Sequence, residues 1–394
     1  MKKKIIFVTK ALWIGGIESA LVNLLNHLDY DRYDVTLLVT RAELNLLEQI
    51  SHNCRIVIAD REKTYSFSDA YRFARLYHLT EPAQNPSLLH KMLMWATPLV
   101  KWFENRQYIR YIRTQMKKQQ FDTCFDTCII YSDVMAETAI RAIDAKHYLM
   151  YYHHGAMRRV YHDKIGYEKC DKIIAVSENL ARELRKFVPS AAEKVISIHN
   201  LTDVEGIRAK AEQTSAENFD PQKFHIVSLG RAAHEKGMDL AVQACAKLVT
   251  NGFQNICWWI VGDGPALGEI RSLVAELGMK PYIRQIGMVK NPYPYIRQAD
   301  LYVQPSRVES FGLTILEALI LNKTVIATNT LGARELLTDR MNGILCDINA
   351  DSLAETVMKF LKNDVRDRKE RRNEIDQFCA KENADALRKI EEIL

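Results

Sequence analysis

The stretch "DLYVQPSRVESFGLTILEALILNKTVIAT", residues 300–328, reads as strand, turn, helix and strand. "DLYVQPS" is an apolar run that ends at Ser306, "LTILEALIL" is a helix starting near Leu313, and "TVIAT" is a second short strand. Two carboxylates stand out. From Phe311 to Leu321 every residue is apolar, Gly or Thr except Glu317, and Glu309 stands eight residues before it. Leaving a buried carboxylate unpaired costs on the order of several kcal/mol, so Glu317 needs a partner. A backbone amide or Arg334 would serve structurally, and a pair of sugar hydroxyls would serve functionally. The segment by itself fits both.

The same alternation runs through the chain. Apolar runs at 4–9, 34–40, 55–59, 147–154, 172–177 and 195–200 precede a second series at 225–230, 256–264, 283–288, 300–306, 324–328 and 343–347. Runs apolar throughout, bounded by turns and separated by helical patterns, indicate parallel sheets covered on both faces. Two series predict two doubly wound α/β domains, residues 1–200 and 201–376, joined through the polar stretch 202–223. The charged amphipathic segment 377–394 is expected to be a helix packing back on the first domain. Ligands of such sheets bind at the carboxyl ends of the strands, so the active site is expected in a cleft between the domains.

The 394 residues suit two cores, and 47% hydrophobic with 26% charged residues excludes a disordered chain. No run reaches the ~18 apolar residues of a membrane span. The opening "MKKKIIFVTKALW" superficially resembles a leader but is expected to be a first strand, because Lys10 breaks the run and no small-residue cleavage site follows. The eight cysteines are scattered without metal-type spacing, which suits buried free thiols and a cytoplasmic setting. Residues 1–199 carry 29 Lys and Arg against 22 Asp and Glu, and the rest 25 against 27, so only the first half is basic. That balance suits an anionic acceptor or surface rather than nucleic acid. The insert 88–120 is basic and aromatic, with Trp102, Phe103, Tyr108 and Tyr111 among six cations between Lys101 and Lys118. It fits either an interfacial helix on anionic lipid or a helical hairpin with a solvated basic face.

Five constellations carry candidate chemistry. The amides of Ser310, Phe311, Gly312, Leu313 and Thr314 lie at a helix N-terminus, where unpaired N–H groups and the dipole favour a phosphate. In "GRAAHEKGMDLAV" (230–242), Arg231 and Lys236 follow a strand and can neutralise a diphosphate, or are simply solvated loop cations; the helix is expected to start near Glu235. "VGDGPALGEI" (261–270) is a poor dinucleotide fingerprint, because its third glycine comes one residue late at Gly268. Gly15 and Gly16 in "WIGGIESALVNLL" (13–25) allow close backbone approach to a ligand, or make only a tight turn. In "YYHHGAMRR" (151–159), His153 and His154 end a strand and point to opposite faces, so they do not chelate one metal. No metal motif and no nucleophile elbow is present.

These pieces, in this order, resemble the retaining glycosyltransferases of family 4, which have the two-domain GT-B fold. The resemblance covers essentially the whole chain and is strongest over 226–347, through "GR…EKG", "VGDGP", "GM", "QADLYVQPSRVESFGLTILEAL" and "NGIL". It implies that Glu309 contacts hydroxyls of the donor sugar and Glu317 those of the ribose. Arg231 and Lys236 would hold the diphosphate, and the amides of residues 311–314 would touch the sugar and distal phosphate. Met288 would edge the base, Gly15 and Gly16 would line the diphosphate and acceptor side, and His154 would approach the donor sugar. The implied reaction is metal-independent transfer from a nucleotide diphosphate sugar, UDP-linked by family frequency, to a lipid-linked or polysaccharide-precursor acceptor at the inner face of the membrane. No cofactor is expected. The sequence departs from the family pattern at Asn322-Lys323-Thr324-Val325, Leu331-Gly332 and His199-Asn200-Leu201. A sugar-nucleotide epimerase and a non-catalytic GT-B subunit are the competing readings; intact Arg231, Lys236, Glu309 and Glu317 weigh against the subunit.

Overall fold

The computed structural model describes residues 2–60, 106–121, 124–155, 157, 164–213, 217, 219–337, 343–362 and 372–394. The first sheet is built from β1 (Lys3–Thr9), β2 (Tyr33–Val39), β3 (Arg55–Ile58), β4 (Cys124–Ile130), β5 (Asp144–Tyr152), β6 (Lys172–Ala175) and β7 (Val195–Ser197), in the order β3-β2-β1-β4-β5-β6-β7. The second is built from β8 (Phe224–Leu229), β9 (Ile256–Val261), β10 (Ile283–Gly287), β11 (Leu301–Gln304), β12 (Val325–Thr328) and β13 (Gly343–Cys346), in the order β10-β9-β8-β11-β12-β13. Its strand pairs are parallel, and the order is the doubly wound one, reversing between β8 and β11. Central strands are buried along their whole length, as Ile256–Val261 is, which explains why they read as unbroken apolar runs.

The chain divides into two compact units: Met1–Tyr152 with Arg158–Ile174, and His153–Met157 with Ala175–Leu394. This division places residues 175–200, which the sequence groups with the first half, in the second unit, although β7 belongs to the first sheet. The C-terminal helix Arg372–Ile393 is tied to that segment and its continuation. Asn383 exchanges two hydrogen bonds with the backbone of Thr202, and Arg208 forks onto Asp376.

Three expectations are corrected. β4 does not stand out in the sequence, because Asp126 and Thr127 interrupt its apolar pattern; it nonetheless lies between β1 and β5. His153 and His154 lie beyond the end of β5, so the strand alternation does not govern them. The helix after β8 begins at Met238 rather than near Glu235, with residues His234–Lys236 forming a separate tight turn. The insert falls mostly outside the described residues. In its described part, a helix over 106–118, Tyr108, Ile112 and Met116 repeat every four residues and are buried in the first unit. The Tyr108 hydroxyl donates to the carbonyl of Ala59 at 3.1 Å, so this aromatic is core rather than an interfacial anchor. Among the described residues no helix is long and apolar enough to cross a membrane.

Candidate active site at the β8–β11 switch point

In an open doubly wound sheet, the crevice for a ligand opens where strand order reverses, outside the carboxyl ends of the two strands. Here these are β8, followed by Gly230 and Arg231, and β11, followed by Ser306 and Glu309. Arg307 clamps the two loops together. Its guanidinium forks onto Asp239 at 2.7 and 2.6 Å and also reaches the His234 carbonyl at 3.0 Å. The amides of Arg307 and Val308 donate to the Glu235 carbonyl at 2.9 and 3.1 Å. Burial alone would raise the Asp239 pKa, yet the Arg307 guanidinium holds that carboxyl below its usual range.

This clamp sets Glu309 against Lys236. The Lys236 Nζ lies 2.7 Å from Glu309 Oε1, and the same oxygen accepts from Ser306 Oγ at 2.8 Å and Gln304 Nε2 at 3.2 Å. Glu309 is 7% exposed. Three donors on one oxygen fix the carboxylate's orientation. Gln304 is the hub behind it. Its amide nitrogen serves Ser306 and Glu309, and its carbonyl accepts from the hydroxyls of Tyr302 at 2.6 Å and Thr314 at 2.9 Å. A buried polar network is sound only when satisfied, and this amide has partners on both sides. Gln304→Leu is therefore expected to lower Tm, at a cost of about 2–3 kcal/mol, by stranding the Tyr302 and Thr314 hydroxyls. A thermal melt unchanged from wild type would show that the hub carries no load.

The helix Leu313–Ile320 starts from Gly312, whose φ of 88° lies in the left-handed region that favours glycine. The first amides of the helix have no partner within it, so the turn presents donors and a positive dipole end beside Glu309. Phe311 is buried, its ring 5.0 Å from that of His199. Gly155 packs on the opposite side of the turn: a methyl there would come within 2.8 Å of the Glu309 carbonyl carbon and 2.9 Å of the Ser310 amide. Gly155 thus carries the half-buried His154 to the Glu309 turn.

The partner of Glu317 is neither a backbone amide nor Arg334. The Tyr293 hydroxyl donates to its Oε1 at 3.2 Å. Burial pushes the Glu317 carboxyl up to about 7, with Tyr293 and Lys210 working in the other direction. Arg231 is mostly exposed and pairs with Glu235. Met288 is 64% exposed, just past the end of β10. Gly15 and Gly16 belong to the first unit, where Gly15 is the extended residue before the helix Gly16–His27 and the Glu18 carboxylate folds back over it. Among the described residues no three His, Cys, Asp or Glu side chains cluster to hold a metal.

The second sheet therefore brings Lys236, Glu309, Ser310, Gly312, Thr314 and Glu317 together around one helix start, with His154 near them. Sequence reasoning missed Gln304, Ser306, Tyr293 and the Arg307–Asp239 clamp. Gln304 carried a legible signal: it is a lone amide in a strand run that is otherwise apolar, the same irregularity that marks Glu317.

Two doubly wound parallel sheets, with a cation, a carboxylate and a helix N-terminus at the second switch point, define a GT-B protein. The chain belongs to the glycosyltransferases: residues 14–205 match Glycosyltransferase Family 4 and residues 209–378 match Glycosyl transferases group 1. One similar protein is the N-acetylgalactosamine-N,N'-diacetylbacillosaminyl-diphospho-undecaprenol 4-alpha-N-acetylgalactosaminyltransferase of Campylobacter jejuni, 28% identical over 57% of this chain and 58% of that one. Another is the lipopolysaccharide core biosynthesis mannosyltransferase LpsB of Rhizobium meliloti, 33% identical over 38% of this chain and 43% of that one. The chain spans about half the length of the curated relatives it matches. Among solved structures, Anabaena HepE with UDP and glucose superposes with a TM-score of 0.69 at 16% identity, covering 99% of both chains. Staphylococcus aureus TarM in a complex containing UDP gives 0.71 at 12% identity, again over 99% of both. At these identities the likeness is one of fold.

Proposed function

We propose that this protein transfers a sugar, with retention, from a nucleotide diphosphate sugar to a lipid-linked or polysaccharide-precursor acceptor in cell-surface glycan synthesis. The observation that carries the reading is Glu309, buried and held on one oxygen by three donors at the mouth of a helix N-terminus. Its other oxygen is the acceptor offered to donor-sugar hydroxyls. Lys236 and Arg231 receive the diphosphate. The Arg231–Glu235 contact is exposed, so exchanging it for a phosphate costs little. As the bond between the anomeric carbon and the diphosphate oxygen breaks, positive charge grows on the sugar ring and negative charge on the leaving phosphate. Lys236, Arg231 and the amides of residues 311–314 take up the latter without a metal. The acceptor hydroxyl attacks from the face the diphosphate leaves and gives its proton to the departing phosphate oxygen.

UDP is the proposed nucleotide, in keeping with HepE and TarM, which are seen with UDP. The lipid-linked acceptor is in keeping with the undecaprenol-linked substrate in the name of the Campylobacter relative, and with the basic first half. Such an acceptor is met at the inner face of the cell membrane. One panel tests the reading. Incubated with UDP-, GDP- and ADP-sugars, the protein is expected to show a rise in Tm and slow nucleotide release with the UDP-sugar. No response to any of the three sinks the proposal. Conversion of the donor into an epimer, with no acceptor present, would favour the epimerase instead.

A further inference from the structure

The Tyr293–Glu317 pair has no part in the chemistry above, and its construction is specific. Tyr293 opens the helix Tyr293–Gln298, directly after Pro292. Its backbone amide donates to Asn291 Oδ1 at 3.2 Å, a side-chain turn that fixes the backbone carrying the ring. The Asn291 side-chain nitrogen donates in turn to the Lys210 carbonyl at 2.7 Å and to Gln213 Oε1 at 2.9 Å, tying the turn to the helix Val204–Ala211. The phenol then reaches across 24 residues of sequence to the one carboxylate of the helix Leu313–Ile320. The groups acting on Glu317 are Tyr293 and Lys210; Tyr302 on β11 feels its charge, and Tyr293 feels Asp203 as well. Among the described residues, no charged side chain of the packed helices Leu331–Leu336 and Arg372–Ile393 acts on this carboxylate.

We propose that Tyr293 is a positioning residue for donor binding, its hydroxyl orienting the Glu317 carboxylate and favouring its ionised form so that it can accept from the two ribose hydroxyls. This rests on the sugar-nucleotide reading of the site. A half-buried carboxylate with a single phenolic donor has acceptor capacity left for a diol, which can donate to both its oxygens. Without the phenol, burial favours the neutral acid, which is a poorer acceptor.

The test is UDP affinity at pH 6.5, 7.5 and 8.5, by calorimetry, for wild type, Tyr293→Phe and Glu317→Gln. Each variant is expressed as a ratio to wild type at the same pH, so that titration of the nucleotide cancels. Loss of one hydrogen bond to a charged group is expected to weaken Tyr293→Phe about tenfold at pH 6.5. The deficit should shrink to roughly twofold at pH 8.5, where the carboxyl ionises without help. Glu317→Gln should be weak throughout, its deficit growing as pH rises and wild type ionises. A Tyr293→Phe deficit equal at all three pH values would mean that the ring only packs, and no deficit would mean that the hydroxyl is idle; either overturns the proposal. A wild-type protein that binds no UDP at any pH fails the sugar-nucleotide reading itself, an outcome visible before any variant is compared.

Discussion

Lys236→Met is expected to cut sugar transfer on the order of 1,000-fold, the scale reached when a preorganised charge on a leaving group is removed. The stability loss should be far smaller. The ammonium contacts a carboxylate that is nearly buried, but Ser306 and Gln304 still donate to the same oxygen after the lysine is gone. A cost of about 2 kcal/mol, below that of breaking a fully buried pair, follows from Lys236 being partly solvated. Glu309→Gln added to Lys236→Met removes the charge left behind, so the double variant should regain most of that stability and none of the activity. Denaturant unfolding and initial rates with the same donor, measured on the single and double variants, separate the two roles. A single variant retaining activity within about fivefold of wild type would take Lys236 out of the chemistry altogether.

The residues proposed to bind and those proposed to position were unequally legible in the sequence. Glu309, Glu317, Arg231 and Lys236 announce themselves because a charge in an apolar run, or after a strand, contradicts its surroundings. The GT-B fold is legible for a related reason: strands buried on both faces leave runs with no alternation. β4 escaped because Asp126 and Thr127 break its apolar run, although Asp126 accepts from the Lys4 amide at 2.9 Å and meets Lys146 at 2.7 Å. Tyr293 escaped for a different reason. A tyrosine after a proline has no local oddity, and its partner is a long-range contact that only the packing of one helix on another creates. The grouping of residues 175–200 is of the same kind. Ser177 caps its own helix Glu178–Phe187 by accepting from the Leu180 amide, and the same hydroxyl donates to the Ser310 carbonyl at 2.6 Å. Nothing local to "AVSENL" foretells that second bond.

The departure at His199 leads to the other large effect, on stability against pH. His199 Nε2 lies 3.0 Å from Glu335 Oε1 and its Nδ1 2.7 Å from Glu382 Oε2, with the imidazole largely buried. Glu335 also accepts from the amides of Glu178 and Asn179 at 2.8 and 3.1 Å. One imidazolium thus joins the start of the helix Glu178–Phe187, the helix Leu331–Leu336 and the C-terminal helix. Burial works against the charged ring, but Glu335 and Glu382 outweigh it and hold its pKa up at about 9. A folded value above the unfolded ~6.5 means that the contribution is complete below pH 6.5 and is lost as pH rises through 9. That gap corresponds to about 3 kcal/mol. The two carboxyls, held below their usual range, act in the opposite direction: their share is present above about pH 4.5 and is lost on acidification. Stability should therefore be greatest between about pH 5 and 6.5. His199→Gln keeps a hydrogen-bonding side chain without the charge. Urea unfolding of both proteins at pH 6, 7.5 and 9.5 should show the variant about 3 kcal/mol weaker at pH 6 and closing on wild type by pH 9.5. Because the His199 ring also contacts Phe311 beside the Glu309 turn, donor affinity is expected to fall with it. A difference in unfolding free energy that stays constant across the three pH values would show that His199 contributes by packing and that its charge is not what joins the three helices.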